Sequence, residues 1–238
     1  MLFKKHLVVV LCLLFYSCNQ ELKTTFSEVE ITTETNTLVT VNIPKAFGNP
    51  TISNNINFEI NKQVINALQV GEPNSATLSS VEESIHAFNN EYQTFSKEYP
   101  EVSMPWEAQI DGELLFQSDE IISVSITSYL NTGGAHGNTV IVFLNFDAQT
   151  GKRIKNADLI TDEAGFKKLA ASYFERNLTA DSVLFKSDGF QLPENMGYVD
   201  EGIHLLYNTY EIAPYTTGVI EFTIPFKEAG SFLAFNGS

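Results

Sequence analysis

Cysteine is almost absent from this chain: its 238 residues include two, Cys12 and Cys18. Cys12 falls inside an apolar leader, so a processed chain would keep Cys18 alone. That excludes structural disulfides, thiolate metal sites and a cysteine nucleophile. Basic residues are scarce as well, with 14 Lys and Arg against 29 Asp and Glu and a formal charge of −15. Nucleic-acid binding rests on cationic side chains that neutralise phosphates, and with neither an excess nor a basic run that class is excluded. No H-E-x-x-H pair, G-x-S-x-G elbow or phosphate loop with Lys and Ser/Thr occurs, which leaves zincins, elbow hydrolases and nucleotide enzymes without support. Internal repeats and low-complexity tracts are also missing.

The N-terminus does have the order of a secretion signal, with Lys4 and Lys5 ahead of the apolar run Leu7 to Tyr16. A spanning helix needs about 20 apolar residues, so this run reads as a signal and not as a permanent membrane anchor. Ser17-Cys18 closes it with a small residue before cysteine. That pair resembles the lipobox of bacterial lipoproteins, with Phe15 and Tyr16 in place of the usual Leu and small residue. The expectation is a signal peptide over residues 1–17, cleavage before Cys18, lipidation of that cysteine, and a tether over residues 18–25. The chain would then be exported and lipid-anchored to the inner or outer membrane of the cell envelope. Two acyl chains already exceed marginal binding, because each buried CH₂ contributes about 0.8 kcal/mol. The alternative is an ordinary secretory signal with an incidental cysteine. Loss of Lys4 and Lys5 makes the remaining body still more acidic, which favours solubility and predisposes it to meet basic proteins or cations by steering that weakens with salt.

Beyond the tether the pattern predicts a mixed α+β fold, antiparallel sheets packed against a few helices. Alternation from Phe26 to Ile31 and from Leu38 to Ile43 predicts a hairpin turning near Glu34-Thr35-Asn36 and broken from Pro44 to Pro50. Ile52, Ile56, Ile60, Val64 and Leu68 place one apolar stripe on a helix that ends before Gly71. A second helix begins near Ser79, where Ser79 with Glu82 and Ser80 with Glu83 each offer a capping box, and it carries Val81, Ile85, Phe88, Tyr92 and Phe95. Glu107 to Phe116 predicts one or two strands around Asp111-Gly112. In Ile121 to Tyr129, Ile122, Val124 and Ile126 alternate with Ser123, Ser125 and Thr127, and the hydroxyls mark the second face as exposed or loosely covered. Thr139 to Phe146, apolar on both faces, reads as a central strand across a glycine-rich turn. A third helix after Thr161-Asp162 carries Phe166, Leu169, Ala170, Tyr173 and Phe174. Ser182 to Asp200 reads as irregular, and Gly202 to Ala213 and Val219 to Pro225 as two closing strands.

The run Tyr129-Leu130-Asn131-Thr132-Gly133-Gly134-Ala135-His136-Gly137, followed by Asn145-Phe146-Asp147 and Thr150-Gly151-Lys152, resembles the RsiV/PdaC-type extracytoplasmic domain family. Tyr210-Glu211-Ile212-Ala213-Pro214-Tyr215, with Gly218 and Phe222 to Pro225, resembles its closing segment. On this resemblance residues 26–135 form a PdaC-like N-terminal part and residues 136–238 an RsiV-like C-terminal part. The resemblance implies a mixed α+β fold and envelope duties: lysozyme recognition in the RsiV ectodomain, an accessory role in PdaC. The chain has no room for a deacetylase domain and no cytoplasmic sigma-binding segment, so neither of those activities carries over.

The residues support binding above catalysis, and no catalytic set, metal site or cofactor is identified. His136, among glycines at a hairpin tip, could bind a metal or move protons. The plainer reading is structural: glycines 133, 134 and 137 supply positive φ, and the imidazole bonds the backbone across the turn. His204 and His86 stand at no ligand spacing. Asp119-Glu120 and Asp200-Glu201 point to opposite faces if extended, and read as solvated charges and not as a glycosidase pair. Trp106, Tyr129, Tyr198, Tyr207, Tyr210 and Tyr215 are the aromatic candidates for contact, most of them core, with Tyr129, His136 and Tyr215 the residues expected at a binding face. The leading expectation is a lipid-anchored, non-catalytic envelope protein that binds a protein or glycan, with lysozyme or peptidoglycan as partner. The rivals are a cell-wall hydrolase built on His136 and a carboxylate, and a passive scaffold in a lipoprotein assembly, which would show a broad apolar patch.

Overall fold

A computed structural model describes residues 23–71, 78–101, 104–178, 183–185 and 189–235. The expected signal peptide, Cys18 and most of the expected tether lie outside the described residues. The α+β expectation holds, with two sheets and about equal helix and strand.

Strands β1 (Thr25–Glu30) and β2 (Val39–Phe47) form the predicted antiparallel hairpin. Its turn is held by Asn36, whose side-chain oxygen accepts from the backbone N–H of Leu38 and Val39 at 3.3 and 3.0 Å. β2 then pairs in parallel with β3 (Glu107–Gln117), a connection that requires a crossover. Helices α1 (Pro50–Ala67) and α2 (Val81–Glu98) supply it. α1 starts on Asn49, whose side chain accepts from Thr51 N–H at 2.9 Å. Of the two capping boxes offered before α2, the second is used. Ser80 accepts from Glu83 N–H at 3.1 Å, and the Glu83 carboxylate accepts from Ser79 N–H at 2.8 Å. Those bonds to Ser79 hold the Glu83 carboxyl below its usual range. The helical stripes Ile56, Ile60, Val64 and Val81, Ile85, Phe88 are buried against Val41, Ile43, Ile110, Val124 and Leu144 of the sheet.

β3, β4 (Ile121–Asn131), β5 (Asn138–Asp147) and the short β6 (Arg153–Ile154) complete a sheet in the order β1-β2-β3-β4-β5-β6, which runs unbroken across residue 135. Helix α3 (Glu163–Asn177), capped by Asp162, follows. A second sheet, β7 (Asn195–Val199), β8 (Gly202–Tyr207) and β9 (Ile220–Pro225), is antiparallel throughout, and α4 (Phe226–Ala229) follows it. Phe166, Ala170 and Phe174 of α3 close a second core with Ile203, Leu205, Tyr207, Phe222 and Ile224.

Several sequence expectations are corrected. β2 continues through Pro44 to Phe47. Its parallel ladder with β3 ends at Asn42–Asp111, so past that point a residue without an N–H breaks no ladder bond there. The proline ring instead packs over Gly112, where a Cβ would stand 2.5 Å from Pro44 Cδ. Of the one or two strands expected around Gly112, one forms, with a register shift between Leu114 and Phe116. The segment read as irregular contains β7. The first closing strand stops at Tyr207 and not at Ala213, because Asn208 to Ala213 turn away.

The larger correction concerns the hydroxyl face of β4. Ser123 and Ser125 are buried and Thr127 is half-buried, because the second sheet packs there. β5 is not central either. Opposite β4 it meets only β6, at Asn145 and Phe146, and the rest of that edge is closed by side-chain amides. Asn208 accepts from Ile141 N–H at 2.9 Å and donates to Ile141 O at 2.8 Å, and Asn195 accepts from Phe143 N–H at 3.2 Å. β7, an edge strand of its own sheet, is closed reciprocally. Ser123 Oγ accepts from Tyr198 N–H at 3.1 Å and donates to Asn145 Oδ1, while Asn145 Nδ2 donates to Met196 O at 2.8 Å. Gly197 lets the strands approach, since a Cβ there would meet the Phe143 ring at 3.1 Å.

Leucine in place of Asn145, which is 1% exposed, would leave the Met196 carbonyl without its donor and the Ser123 O–H without its acceptor in a buried seam. Each lost partner costs about 1–3 kcal/mol. Urea unfolding of Asn145→Leu is expected to show a loss of that order. Adding Ser123→Ala should cost less than its own single effect, because one orphan disappears. A neutral Asn145→Leu would show that the seam does not hold the sheets together.

Candidate functional site

The β4–β5 turn and the β8–β9 connection lie far apart in sequence and meet at one end of the molecule. Of the three turn glycines, Gly133 has a positive φ of 85°, which glycine adopts without strain. Gly137 is present for space, since a Cβ there would lie 2.3 Å from the Tyr129 ring. The Gly137 carbonyl accepts from two side chains, His136 Nδ1 at 2.9 Å and Tyr215 Oη at 3.2 Å. A carbonyl cannot donate, so in the neutral imidazole the proton sits on Nδ1 and Nε2 is left as an acceptor. The His136 and Tyr215 rings stack, with centroids 3.9 Å apart and planes at 19°. Tyr210 stands 5.8 Å from Tyr215.

Tyr129, His136 and Tyr215, singled out separately in the sequence, are thus brought to one tip. Tyr129 and the exposed Tyr215 both touch Gly137, directly or by hydrogen bond. Tyr210, one of the other aromatic candidates for contact, joins them and is 54% exposed. The remaining candidates are core. Trp106, Tyr198 and Tyr207 are buried. Burial pushes the phenols of Tyr198 and Tyr207 well above their ordinary value, and each donates to a carbonyl, that of Phe235 and Gln191 respectively.

The loop that carries Tyr210 and Tyr215 is fixed from three sides. Asn208 clamps the β5 edge as described, and Phe185 N–H donates to Ile212 O at 2.8 Å. The Glu211 carboxylate accepts from the backbone N–H of Glu194 and of Asn208, both at 2.9 Å. Burial nevertheless holds this carboxyl above the usual range, opposed by those two donors.

The structure groups one further histidine that spacing left alone. His204 Nδ1 bonds Thr223 Oγ1 at 2.9 Å, and Nε2 lies 3.3 Å from Glu221 Oε2. Register explains it, since His204 pairs directly with Thr223 across β8 and β9. It is a cross-strand clasp against Phe143, and neither cleft described below includes it. The larger cleft, about 570 Å³, is lined by Lys23, Thr24, Asn49, Gln117 and Asp119, and a shallower one of about 460 Å³ by Asn36, Thr40, Trp106 and Glu107. No group of three metal-ligating side chains occurs among the described residues.

Comparison with known proteins matches residues 31–139 to the family described as deacetylase PdaC, and residues 152–227 to the family described as a protein of unknown function, DUF3298. A crystal structure of a DUF3298 family member from Bacteroides fragilis is similar at 19% identity with a TM-score of 0.61, covering 90% of this chain and 94% of that one. A DUF3298 family protein from Pseudomonas aeruginosa is similar at 19% identity with a TM-score of 0.56, over 90% of this chain and 95% of that one. At these identities the likeness is one of fold. No curated protein matches.

Glu211 gives a pH test of the loop. Its raised folded-state value means the unfolded chain releases this proton first, so its contribution to stability is full in acid and is lost as pH rises through the folded-state value. Relative to Glu211→Gln, the wild-type unfolding free energy is expected to decline across the carboxylate range and then level off. A rising difference would contradict the burial described.

Proposed function

We propose that this chain, which carries a PdaC domain followed by a DUF3298 domain, is a lipid-anchored, non-catalytic envelope protein whose contact face is the aromatic tip. The observation that carries this reading is the position of the tip relative to the point where the chain enters the fold. Gln117 Nε2 donates to Thr24 O at 2.8 Å, so β1 begins beside the β3–β4 turn. The glycine turn closes the other end of β4. That strand has 11 residues and spans about 35 Å at about 3.3 Å per residue. A tether attached at Thr25 therefore presents the rings away from the surface that holds it. No helix among the described residues is long and apolar enough to cross a membrane, and the anchor is assigned to lipid on Cys18.

Exposed rings clustered on a rigid hairpin suit recognition, since aromatic side chains bring large contact area at little entropic cost. A hydrolase built on His136 would need a carboxylate on the imidazole. Nδ1 instead bonds the Gly137 carbonyl. The partner is a lysozyme-type muramidase or peptidoglycan itself. The first follows from the resemblance to the RsiV ectodomain and from the acidity of the chain, which carries a formal charge of −15 and would steer a basic enzyme toward it.

Calorimetric titration of residues 19–238 with a basic lysozyme, with peptidoglycan fragments in parallel, is expected to give saturable binding to at least one. Tyr215→Ala should weaken it tenfold or more, and lysozyme affinity should fall between low and moderate salt. Absence of binding to both would sink the proposal. Independently, Cys18→Ser is expected to abolish fatty-acid labelling and release the chain from the membrane fraction; label retained on the variant would rule out this anchor.

A further inference from the structure

Tyr210 is the one non-glycine residue with positive φ among the described residues, at 69°. A side chain with Cβ is strained in this region, which glycine and asparagine tolerate better. Such strain persists where the surroundings enforce it, and it clusters at sites that use it. The backbone is held here by the Tyr210 N–H, which donates to Ala213 O at 3.1 Å, and by the Glu211 clamp on Asn208. The ring itself is 54% exposed and adds little to the core. A turn selected for stability would place glycine or asparagine at this position, so the ring is kept for what it contacts outside.

The charge pattern indicates what that contact is. No Asp, Glu, Lys or Arg occurs between Glu120 and Asp147, nor between Glu211 and Glu221, in a chain with 29 acidic residues. The Glu211 carboxylate, at the edge of the second stretch, is committed to two backbone N–H groups. The segments 121–146 and 212–220 that meet at the tip are thus uncharged, and the exposed Glu107, opposite Asn131 across the β3–β4 ladder, is the acidic side chain that register sets beside them. The two loops that carry the tip's rings also carry groups that exchange neutral hydrogen bonds: the exposed Thr132 and Thr216, the Thr209 hydroxyl bonded to Asn138 Oδ1 at 3.2 Å, and the His136 Nε2 acceptor. Aromatic faces beside hydroxyl, amide and imidazole groups match the apolar C–H face and peripheral hydroxyls of an uncharged sugar ring.

We infer that the Tyr210–Tyr215–His136 tip binds a neutral saccharide by ring stacking, and that Tyr210 is a recognition residue kept at a cost to the fold. The inference rests on the binding role proposed above and assigns the ligand class to this face.

The test is titration of the chain with a neutral N-acetylglucosamine tetramer at low and moderate salt, with thermal melts of Tyr210→Gly and Tyr210→Asn. Saturable binding that varies less than twofold with salt is expected. Both variants should melt higher than wild type and bind the tetramer at least tenfold more weakly. A lower melting temperature in both variants would make Tyr210 a structural residue, and unchanged affinity would remove it from recognition; either overturns its assigned role. Strong salt dependence would overturn the neutral stacking mode. If lysozyme binds and the tetramer does not, the saccharide assignment fails and the envelope-binding role stands; if neither binds, both fail.

Discussion

Two sheet edges lie against each other in this protein, and each would be left with unpaired backbone groups without the other's side chains. Ser123 and Asn145, on β4 and β5, complete the hydrogen bonding of β7, and Asn195 and Asn208 complete that of β5. Buried peptide groups without partners are costly, and an edge strand left open invites association with other chains. The exchange resolves both problems at once, with amide side chains standing where a further strand would otherwise pair. Its polarity explains why a serine-lined face of β4 can be fully buried between two hydrophobic cores. It also makes the docking directional, because hydrogen bonds fix register where apolar contact alone would permit sliding.

The geometry of the tip follows from this docking. Asn208 is the first residue after β8, so the clamp on Ile141 sets where the β8–β9 connection leaves the sheet. That departure carries Tyr210 and Tyr215 over the β4–β5 turn, and Gly137, bare of side chain, receives the Tyr129 ring on one atom set and two hydrogen bonds on its carbonyl. A site assembled from two distant segments is held by backbone and amide contacts, and the aromatic faces remain for a ligand. Catalytic chemistry has no comparable support. Among the described residues His136 is turned to a carbonyl, His204 lies in a cross-strand clasp outside both clefts, and His86 bonds the Thr35 hydroxyl.

Charge is distributed to match. Acidic side chains crowd the body, and the one within the Tyr210–Tyr215 loop, Glu211, has its carboxylate taken up by two backbone N–H groups. On the proposed reading, an acidic body around the aromatic contact face separates long-range steering, which salt screens, from short-range recognition, which it does not. The two can serve different partners or successive steps with one.

The α+β class, the first hairpin, all three long helices with their buried stripes and the Ser80 cap were legible from periodicity and capping chemistry alone, because those signals are local. The pairing of the two matched segments was legible as a resemblance carried by the glycine turn and the Tyr210–Tyr215 run. Strand β7 was not, since Gly197 and the asparagine at its start weaken any strand signal and its partners for the outer edge are side chains of another sheet. The hydroxyl face of β4 reads as exposed for the same reason: serine is polar in any window, and only the arrival of Asn145 and Tyr198 N–H makes burial affordable. Nor could spacing bring His136 onto Tyr215 or give Tyr210 its positive φ. Local sequence determined which elements form and which face of each is apolar. Tertiary structure decided which polar groups meet, because hydrogen bonds across a buried seam depend on register and docking angle that no single segment encodes.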